Sequence, residues 1–210
     1  MYVTKKIKHE MLQILEEIYI DSKPALMYNS EFELLITVIL SAQCTDVRVN
    51  ITTGRMFPRY NTPEKMLQLT VSELEEQIKD CGLYKSKAKN IHETCKILSS
   101  QYNSVVPSDF DELIKLPGVG RKTANVVRSI LFDIPAIAVD THVFRVSNRL
   151  RLAQGLTPLE VEKKLMKAIP QDKWSAAHHW LIWHGRLICK ARKPLCHSCK
   201  LAELCPSSGK

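Results

Sequence analysis

The chain has 210 residues, a length that fits one large domain or two small ones. Hydrophobic residues make up 45% and charged residues 25%, an ordinary globular composition that leaves no room for a long disordered tail. The 30 Lys and Arg residues exceed the 22 Asp and Glu residues and give a formal net charge of +8. This excess indicates a polyanionic partner, most simply nucleic acid.

The sequence also argues against membrane and secretory segments. The longest strongly apolar run covers only residues 34–40, far short of the roughly 18 to 20 residues that span a bilayer. The apolar positions behind the basic N-terminus are interrupted by Gln13, Glu16 and Glu17, so a signal-peptide core is not expected. We therefore expect a protein that stays inside the cell.

The N-terminal third shows helical periodicity. Apolar residues of the first segment recur at the spacing of one buried helix face: Ile7, Met11, Ile14, Leu15 and Ile18. Ser30 with Glu33 is a predicted capping box. The run behind it, residues 32–40, is apolar nearly all round, which predicts a central buried helix.

Further helix starts follow in chain order. Thr-Pro pairs at residues 62–63 and 157–158 place a cap before a proline at the first helical position. Thr70 with Glu73 is a second predicted capping box, whose helix should end at Gly82.

The remaining helices complete an all-α pattern. They are predicted over residues 86–101, 109–115, 121–131, 141–151 and 173–188. No segment alternates with a two-residue period between hairpin turns, so no sheet is needed. The sequence predicts an all-α fold with a domain boundary at residues 133–135.

A glycine turn lies at residues 116–120, between two short amphipathic segments. Gly118 and Gly120 permit a tight reversal with positive φ values, so we expect the flanking helices to form a hairpin. Backbone amides at this turn would point outward at a helix N-terminus and favour an anionic phosphate, and Arg121 and Arg128 add charge nearby. An ordinary helix-helix turn is the alternative interpretation.

The cysteines are distributed unevenly. They are Cys44, Cys81, Cys95, Cys189, Cys196, Cys199 and Cys205. The last four have the spacing C-x6-C-x2-C-x5-C, close enough to surround one small metal centre, and disulfides are not expected inside the cell. Four thiolates suit zinc or an iron-sulfur cubane equally by ligand count.

Several blocks together resemble the helix-hairpin-helix DNA glycosylase superfamily, and within it the endonuclease III family. They are LSAQCTD (40–46), GLYKSKA (82–88), LPGVGRKTANVV (116–127), IAVDTHVFR (137–145) and HHWLIWHGR (178–186), in family order. The resemblance covers nearly the whole chain. It implies two helical domains flanking a DNA-binding groove: a six-helix domain with the helix-hairpin-helix at 24–134, and a discontinuous iron-sulfur cluster domain of 1–23 and 135–210.

The resemblance also implies an activity. It predicts a bifunctional base-excision-repair DNA glycosylase and abasic-site lyase that removes oxidised pyrimidines through a lysine Schiff base. The implied cofactor is a 4Fe-4S cluster on the four C-terminal cysteines. The implied partner is double-stranded DNA containing oxidised pyrimidines or abasic sites. We expect a monomer in the cytoplasm of a prokaryotic cell, associated with the nucleoid and not with a membrane.

Lys122 and Asp140 match the family's catalytic pair. Lys122 lies in the first turn of a predicted helix, where the helix dipole and Arg121 disfavour an ammonium, and a lysine is a nucleophile only when neutral. Asp140 is a good helix N-cap, and the resemblance adds a role in accepting a proton and stabilising oxocarbenium-like charge. A phosphate-binding lysine and a simple cap are the plainer interpretations.

The resemblance places further residues on DNA. Gln43 and Leu83 match the family's wedge positions, which fill the space left by a flipped base. Without the resemblance, Leu83 would be assigned to the core and Gln43 to a helix surface. Three basic residues, Lys190, Arg192 and Lys193, lie between the first two cluster cysteines and would form a DNA-facing loop with the hairpin residues Gly118, Gly120 and Arg121.

Other polar residues receive smaller roles. Asp46 and His142 could assist proton movement, or act as a cap and a core residue. Some relatives carry a carboxylate at the position of Ile114, so a role for that group is not expected here. The histidines at 178, 179 and 184 lack the spacing of a zinc pair and are interpreted as core and surface residues.

Two alternative functions are compatible with the sequence. An adenine glycosylase acting at oxidised-guanine mismatches shares the hairpin and the cluster. However, it lacks the lysine at position 122 and carries an added C-terminal domain, whereas this sequence ends five residues past Cys205. A DNA-binding iron-sulfur protein that senses redox state is the non-enzymatic alternative.

Overall fold

The structure, a computed structural model, describes residues 3–22 and 25–209, so the domain limits expected at residues 23 and 24 lie outside the described residues. Throughout these residues the regular structure is helical, which confirms the all-α prediction. The helices are α1 (Lys5–Tyr19), α2 (Glu31–Ser41), α3 (Asp46–Met56), α4 (Pro63–Met66), α5 (Val71–Ile78), α6 (Tyr84–Gln101), α7 (Phe110–Leu113), α8 (Arg121–Leu131), α9 (Thr141–Leu150), α10 (Pro158–Ala168) and α11 (Trp174–Leu187). Within the part described, no helix is both long and apolar enough to cross a membrane.

The chain divides into two compact units. The hairpin unit is Pro24–Asp133, and the cysteine unit combines Met1–Lys23 with Ile134–Lys210. In the hairpin unit, every residue from Phe32 to Leu40 of α2 is buried, and α3, α6 and α8 pack against this helix. The prediction of a central buried helix is therefore confirmed. In the cysteine unit, α11 packs against both α1 and α9 around a separate apolar core.

Local capping chemistry fixes most helix starts. Thr70 Oγ1 accepts a hydrogen bond from the Glu73 amide at 3.2 Å, and Glu73 Oε2 accepts one from the Thr70 amide at 2.8 Å, so this capping box is confirmed. Both Thr-Pro pairs also cap helices as predicted, those of α4 and α10. These starts depend on residues within one turn, which is why sequence alone finds them.

The capping box predicted at Ser30 is only half formed. Ser30 Oγ accepts from the Glu33 amide at 3.1 Å, but Glu33 Oε2 accepts from the backbone amide of Asn29 at 2.6 Å instead of that of Ser30. Asn29 also donates through its side-chain amide to the same oxygen, at 3.1 Å. Glu33 is buried, so these bonds satisfy a carboxylate that would otherwise be costly to desolvate.

Two predicted helix ends are wrong. The helix opened by Thr70 ends at Ile78 and not at Gly82, because the chain must turn there to bring Gly82 against the Gln43 carbonyl. The helix predicted over residues 109–115 is a single turn, Phe110–Leu113. A proline disfavours helical backbone at the residue before it, and Pro117 follows this turn closely.

Candidate functional site

The glycine turn connects α7 to α8 as a hairpin. Gly118 has a φ of +82°, and a Cβ there would lie 3.2 Å from the Asn90 Cβ of α6. Thr94 of the same helix donates through its hydroxyl to the Pro117 carbonyl at 2.9 Å. The turn is therefore held against α6 at a position that favours glycine.

Gly120 differs from the prediction. Its φ is −94°, an extended conformation that any residue adopts, and a Cβ there would meet nothing within 4 Å. The expectation of a positive φ at Gly120 is wrong, because one left-handed residue, Gly118, is enough to reverse the chain. Gly120 instead serves as the N-cap of α8, and no side chain caps the first-turn amides. An N-terminus without a side-chain cap is suited to a phosphate oxygen.

Lys122 is exposed in the first turn of α8. The buried side of this helix carries Ala124, Asn125 and Val127, so Lys122 lies on its solvent side. Arg121 stacks on the Phe110 ring with 5.0 Å between the guanidinium carbon and the ring centroid. That stacking holds a fixed positive charge next to the lysine.

Asp140 begins α9 in the cysteine unit. Its Oδ1 accepts a hydrogen bond from the Val143 amide at 2.7 Å, so the predicted N-cap is present. The four residues before it, 136–139, are buried and fix the backbone at this point. The side chain is half-buried, and a carboxylate that caps with one oxygen has a second that can accept a proton.

Gln43 and Leu83 occupy neighbouring turns of the hairpin unit. Both have left-handed backbone, with φ values of 51° and 60°, and both are exposed, Leu83 to 57%. Between them, a Cβ on Gly82 would lie 2.9 Å from the Gln43 carbonyl oxygen, so the two turns are packed backbone to backbone. Assigning Leu83 to the core and Gln43 to a helix surface is therefore wrong. Strain of this kind, of order 1 to 3 kcal/mol per residue, concentrates at functional sites.

The residues expected to assist proton movement have structural partners. His142 Nδ1 is 3.1 Å from Arg145 Nη2, and Arg145 also donates to the carbonyls of Gly185 at 2.9 Å and Cys189 at 3.0 Å. Asp46 is the first residue of α3, where an acidic side chain favours the helix dipole.

The four C-terminal cysteines of the cysteine unit are free and half-buried. Burial raises the pKa of the Cys199 thiol, and the charges of Cys205, Cys189 and Cys196 raise it further. The pKa of Cys205 is raised by burial and by the charges of Cys189 and Cys196. Negative charge on one of these sulfurs therefore disfavours negative charge on Cys199 and Cys205.

Across residues 3–22 and 25–209, no three His, Cys, Asp or Glu side chains form a group that could hold a single metal ion. By ligand count, four thiolates suit zinc and an iron-sulfur cubane equally.

Arg149 of α9 binds the cysteine loop, which is the segment between Cys189 and Cys196. It donates to Cys189 Sγ at 3.5 Å and to the carbonyls of Lys190 at 2.7 Å and Ala191 at 3.0 Å. Its own carbonyl lies 3.9 Å from the Cys205 thiol. No local sequence signal marks Arg149 for this role, because its contact with Cys189 spans 40 residues.

His184 of α11 is a second residue that touches the cysteines. It is buried, as expected of a core histidine, but its Nε2 lies 3.7 Å from Cys199 Sγ. Its Nδ1 lies 3.2 Å from the hydroxyl of Tyr19. Burial lowers the pKa of His184 to about 4 and raises that of Tyr19 to about 12, so both are neutral near pH 7.

The basic residues of the cysteine loop are exposed. Lys190, Arg192 and Lys193 all face solvent, and Lys193 has a φ of 51°. Because Arg149 binds the carbonyls at the start of this loop, the three positive charges are presented on an anchored segment.

Comparisons with known proteins agree with this arrangement. A family model for HhH-GPD superfamily base excision DNA repair proteins matches residues 36–171, and one for the iron-sulfur binding domain of endonuclease III matches residues 189–205. Endonuclease III of Rickettsia conorii is 53% identical over 95% of both chains, and that of Escherichia coli K12 is 50% identical over 97% of this chain and 96% of its own.

A solved structure gives the same result. A trapped endonuclease III-DNA covalent intermediate superimposes with a TM-score of 0.95 at 50% identity, covering 99% of this chain and 98% of the other. The matched iron-sulfur domain contains all four clustered cysteines, so the chain has the ligand set of a 4Fe-4S cluster. Since the family models, the relatives and the fold all agree, the chain belongs to the endonuclease III family of helix-hairpin-helix base excision DNA repair proteins.

Proposed function

We propose that Lys122 is the nucleophile and Asp140 the activating carboxylate of this chain, a bifunctional DNA glycosylase and abasic-site lyase. The observation that carries the proposal is the position of Lys122, exposed in the first turn of α8 directly behind the hairpin. This position leaves its amine accessible to a sugar while the hairpin amides hold a phosphate of the same strand. We propose oxidised pyrimidines and abasic sites in duplex DNA as its substrates.

Binding begins with the phosphate backbone. The first-turn amides of α8 and the exposed residues Lys190, Arg192 and Lys193 supply sequence-independent contacts. A damaged base inside the duplex is out of reach, so it must be flipped out. Gln43 would pair with the orphaned opposite base, and Leu83 would fill the stack, because both side chains are exposed on adjacent turns.

The covalent step uses the neutral amine of Lys122. Its nitrogen attacks C1′ of the flipped nucleotide, the glycosidic bond breaks, and the base leaves with a proton. The sugar ring then opens to an imine between Lys122 and C1′. Loss of a 2′ proton expels the 3′ phosphate by β-elimination, and water hydrolyses the imine to free the enzyme.

Asp140 would act on charge and protons in the same steps. As the glycosidic bond breaks, positive charge develops on the sugar, and a nearby carboxylate stabilises it. The carboxylate can also accept the proton that Lys122 must lose. Because Oδ1 caps α9, the backbone holds the carboxyl group in one orientation.

The cluster contributes through the fold. When bound, a 4Fe-4S cluster joins the four cysteines and so fixes the loop between Cys189 and Cys196. Arg149 and Arg145 donate hydrogen bonds to carbonyls at the start of this loop, and both belong to α9, the helix that Asp140 caps. The cysteine loop and Asp140 are therefore both attached to α9.

Borohydride trapping tests the proposal. The wild type, incubated with an abasic or thymine-glycol duplex and borohydride, should form a stable protein-DNA adduct. Lys122→Gln should form none and release no base, whereas the control Lys96→Gln, an exposed lysine of α6 paired with Glu93, should behave as wild type. Base release without any adduct would indicate an activated water as the nucleophile. Tight damage binding without cleavage would instead support the redox-sensing alternative.

Substrate range and location are further parts of the proposal. The curated relatives are bacterial proteins, so we propose that this chain acts as a monomer on chromosomal DNA in a bacterial cytoplasm. Duplexes with thymine glycol should be cut faster than duplexes with adenine opposite oxidised guanine, since the adenine glycosylase lacks a lysine at this position. Faster release of that adenine would contradict the assignment.

A further inference from the structure

A pair of cysteines outside the cluster connects the two turns that carry Gln43 and Leu83. Cys44 directly follows Gln43, and Cys81 lies two residues before Leu83. The two thiols are free, and Cys44 packs against the apolar core that contains Cys81. Gly82, between Cys81 and Leu83, packs against the Gln43 carbonyl. The two cysteines therefore flank the contact between two exposed turns with left-handed backbone.

The two thiols differ in access. Cys81 is 1% exposed, and its Sγ donates to Thr52 Oγ1 at 3.7 Å. Cys44 is half-buried, so a small molecule in solution can reach it first. Burial raises the pKa of Cys81, and the positive charge of Lys87 acts in the opposite direction.

A buried lysine is bonded to the backbone just before Gln43. Lys87 of α6 is only 4% exposed, and its Nζ donates to the carbonyls of Leu40 at 2.8 Å and Ala42 at 2.6 Å. Burial lowers the pKa of Lys87, and the charges of Cys81 and Cys44 act against that lowering. Two carbonyls hold the amine in place, and its positive charge favours a thiolate on Cys81. The repair reaction as proposed above uses neither the lysine nor the two cysteines.

We propose that Cys44 and Cys81 form a reversible dithiol-disulfide switch that covalently links the turn of Gln43 to the turn of Leu83. The oxidant is a low-molecular-weight disulfide. The Cys44 thiolate attacks one of its sulfurs, forming a mixed disulfide and releasing the first small thiol. Cys81, deprotonated beside Lys87, then attacks the Cys44 sulfur and releases the second. Two protein thiols are oxidised, and one small disulfide is reduced to two thiols.

The other thiols do not share these features. Cys95 lies fully buried in the hairpin unit, and burial raises its pKa to about 12. Cys189, Cys196, Cys199 and Cys205 are taken up as cluster ligands. Among the cysteines, Cys44 and Cys81 are thus the pair that combines access, a thiol neighbour and a fixed positive charge.

The disulfide has a consequence for damage recognition, and this step rests on the proposed function. Gln43 and Leu83 must adjust to a distorted strand as they enter it. A covalent bond between Cys44 and Cys81 restricts the turns that carry them. We expect oxidised protein to release damaged bases several-fold more slowly and to recover when a dithiol reductant is added.

The test uses the cluster-loaded protein and oxidised glutathione. Peptide mapping without reduction should find a peptide that joins Cys44 to Cys81, while the visible absorption of the cluster stays unchanged. Neither Cys44→Ser nor Cys81→Ser should give this peptide, and the control Cys95→Ser should give it as wild type does. A wild type in which both thiols stay free, or stop at a mixed disulfide on Cys44, would overturn the switch.

A second measurement separates the chemistry from its consequence. Base release is compared between oxidised and re-reduced protein, with Cys81→Ser treated in parallel. A reversible slowing in the wild type alone supports the link to Gln43 and Leu83. A disulfide that forms without changing the rate would refute that link. Loss of activity in the reduced protein as well would count against the proposed function and not against the switch.

Discussion

Substitutions of Asp140 can separate its contribution as a helix cap from its proposed contribution as a catalytic charge. Asparagine keeps a side-chain oxygen that can accept from the Val143 amide, whereas alanine removes the 2.7 Å bond altogether. Loss of an N-cap costs about 0.5 to 2 kcal/mol of unfolding free energy. We therefore expect Asp140→Ala to lose about 1 kcal/mol of stability and Asp140→Asn to lose little.

The expected effects on rate are much larger than the effects on folding. A domain with roughly 5 to 15 kcal/mol of stability stays almost fully folded after losing about 1 kcal/mol. Removal of a general acid-base group costs about 10² to 10⁴ in rate, or roughly 3 to 5 kcal/mol of activation free energy. Such a loss in a folded variant cannot come from the cap.

Urea unfolding and single-turnover base release measure the two quantities. Asp140→Asn should unfold close to the wild-type midpoint but react at least about a hundredfold more slowly. Asp140→Ala should be as slow and also less stable. If Asp140→Asn releases base within a few-fold of wild type, the charge has no catalytic role, and Asp140 is only the cap of α9.

Three further predictions concern the hairpin, the basic loop and the cluster. Gly118→Ala should lower the free energy of unfolding by about 1 kcal/mol or more in urea, because its φ is +82° and its Cβ would crowd α6. Gly120→Ala should cost less, since its φ is −94° and only the poorer capping by alanine counts against it; equal effects would contradict the hairpin geometry. Duplex affinity should fall steeply with salt, and charge reversal at Arg192 and Lys193 should weaken binding to all duplexes in titrations at several salt concentrations; a salt-independent affinity would show that the basic surface does not bind phosphate. Cys199→Ser should lose iron and visible absorption, and its affinity for DNA should fall by a larger factor than its rate of base release. Stoichiometric zinc in anaerobically prepared wild type would refute the cubane.

The helices were predictable where their causes are local. Thr70 and Glu73 satisfy each other within one turn, and α8 begins and ends where its apolar pattern does. The left-handed backbone of Leu83 has no such local cause, because it depends on the approach of Gly82 to the carbonyl of Gln43, a residue far away in the sequence. Tertiary contact overrides the preference of leucine for the core.

The sequence predicts the candidate site residues but not the contacts that hold them in place. The family blocks predict Lys122 and Asp140 as the catalytic pair, and the cysteine spacing predicts the ligands of one small metal centre. The contacts that hold those ligands, from Arg149 to Cys189 and from His184 to Cys199, join helices that are distant in sequence or lie on a buried face. Charge and periodicity carry no information about such contacts.

The most direct test of the account is the identity of the trapped residue. The borohydride-reduced adduct of the wild type with an abasic duplex can be digested with nuclease and protease and sequenced by tandem mass spectrometry. The account predicts that the sugar remnant is attached to Nζ of Lys122 and to no other residue. A remnant on another lysine, or on the N-terminal amine, would contradict the assignment of Lys122 as the nucleophile.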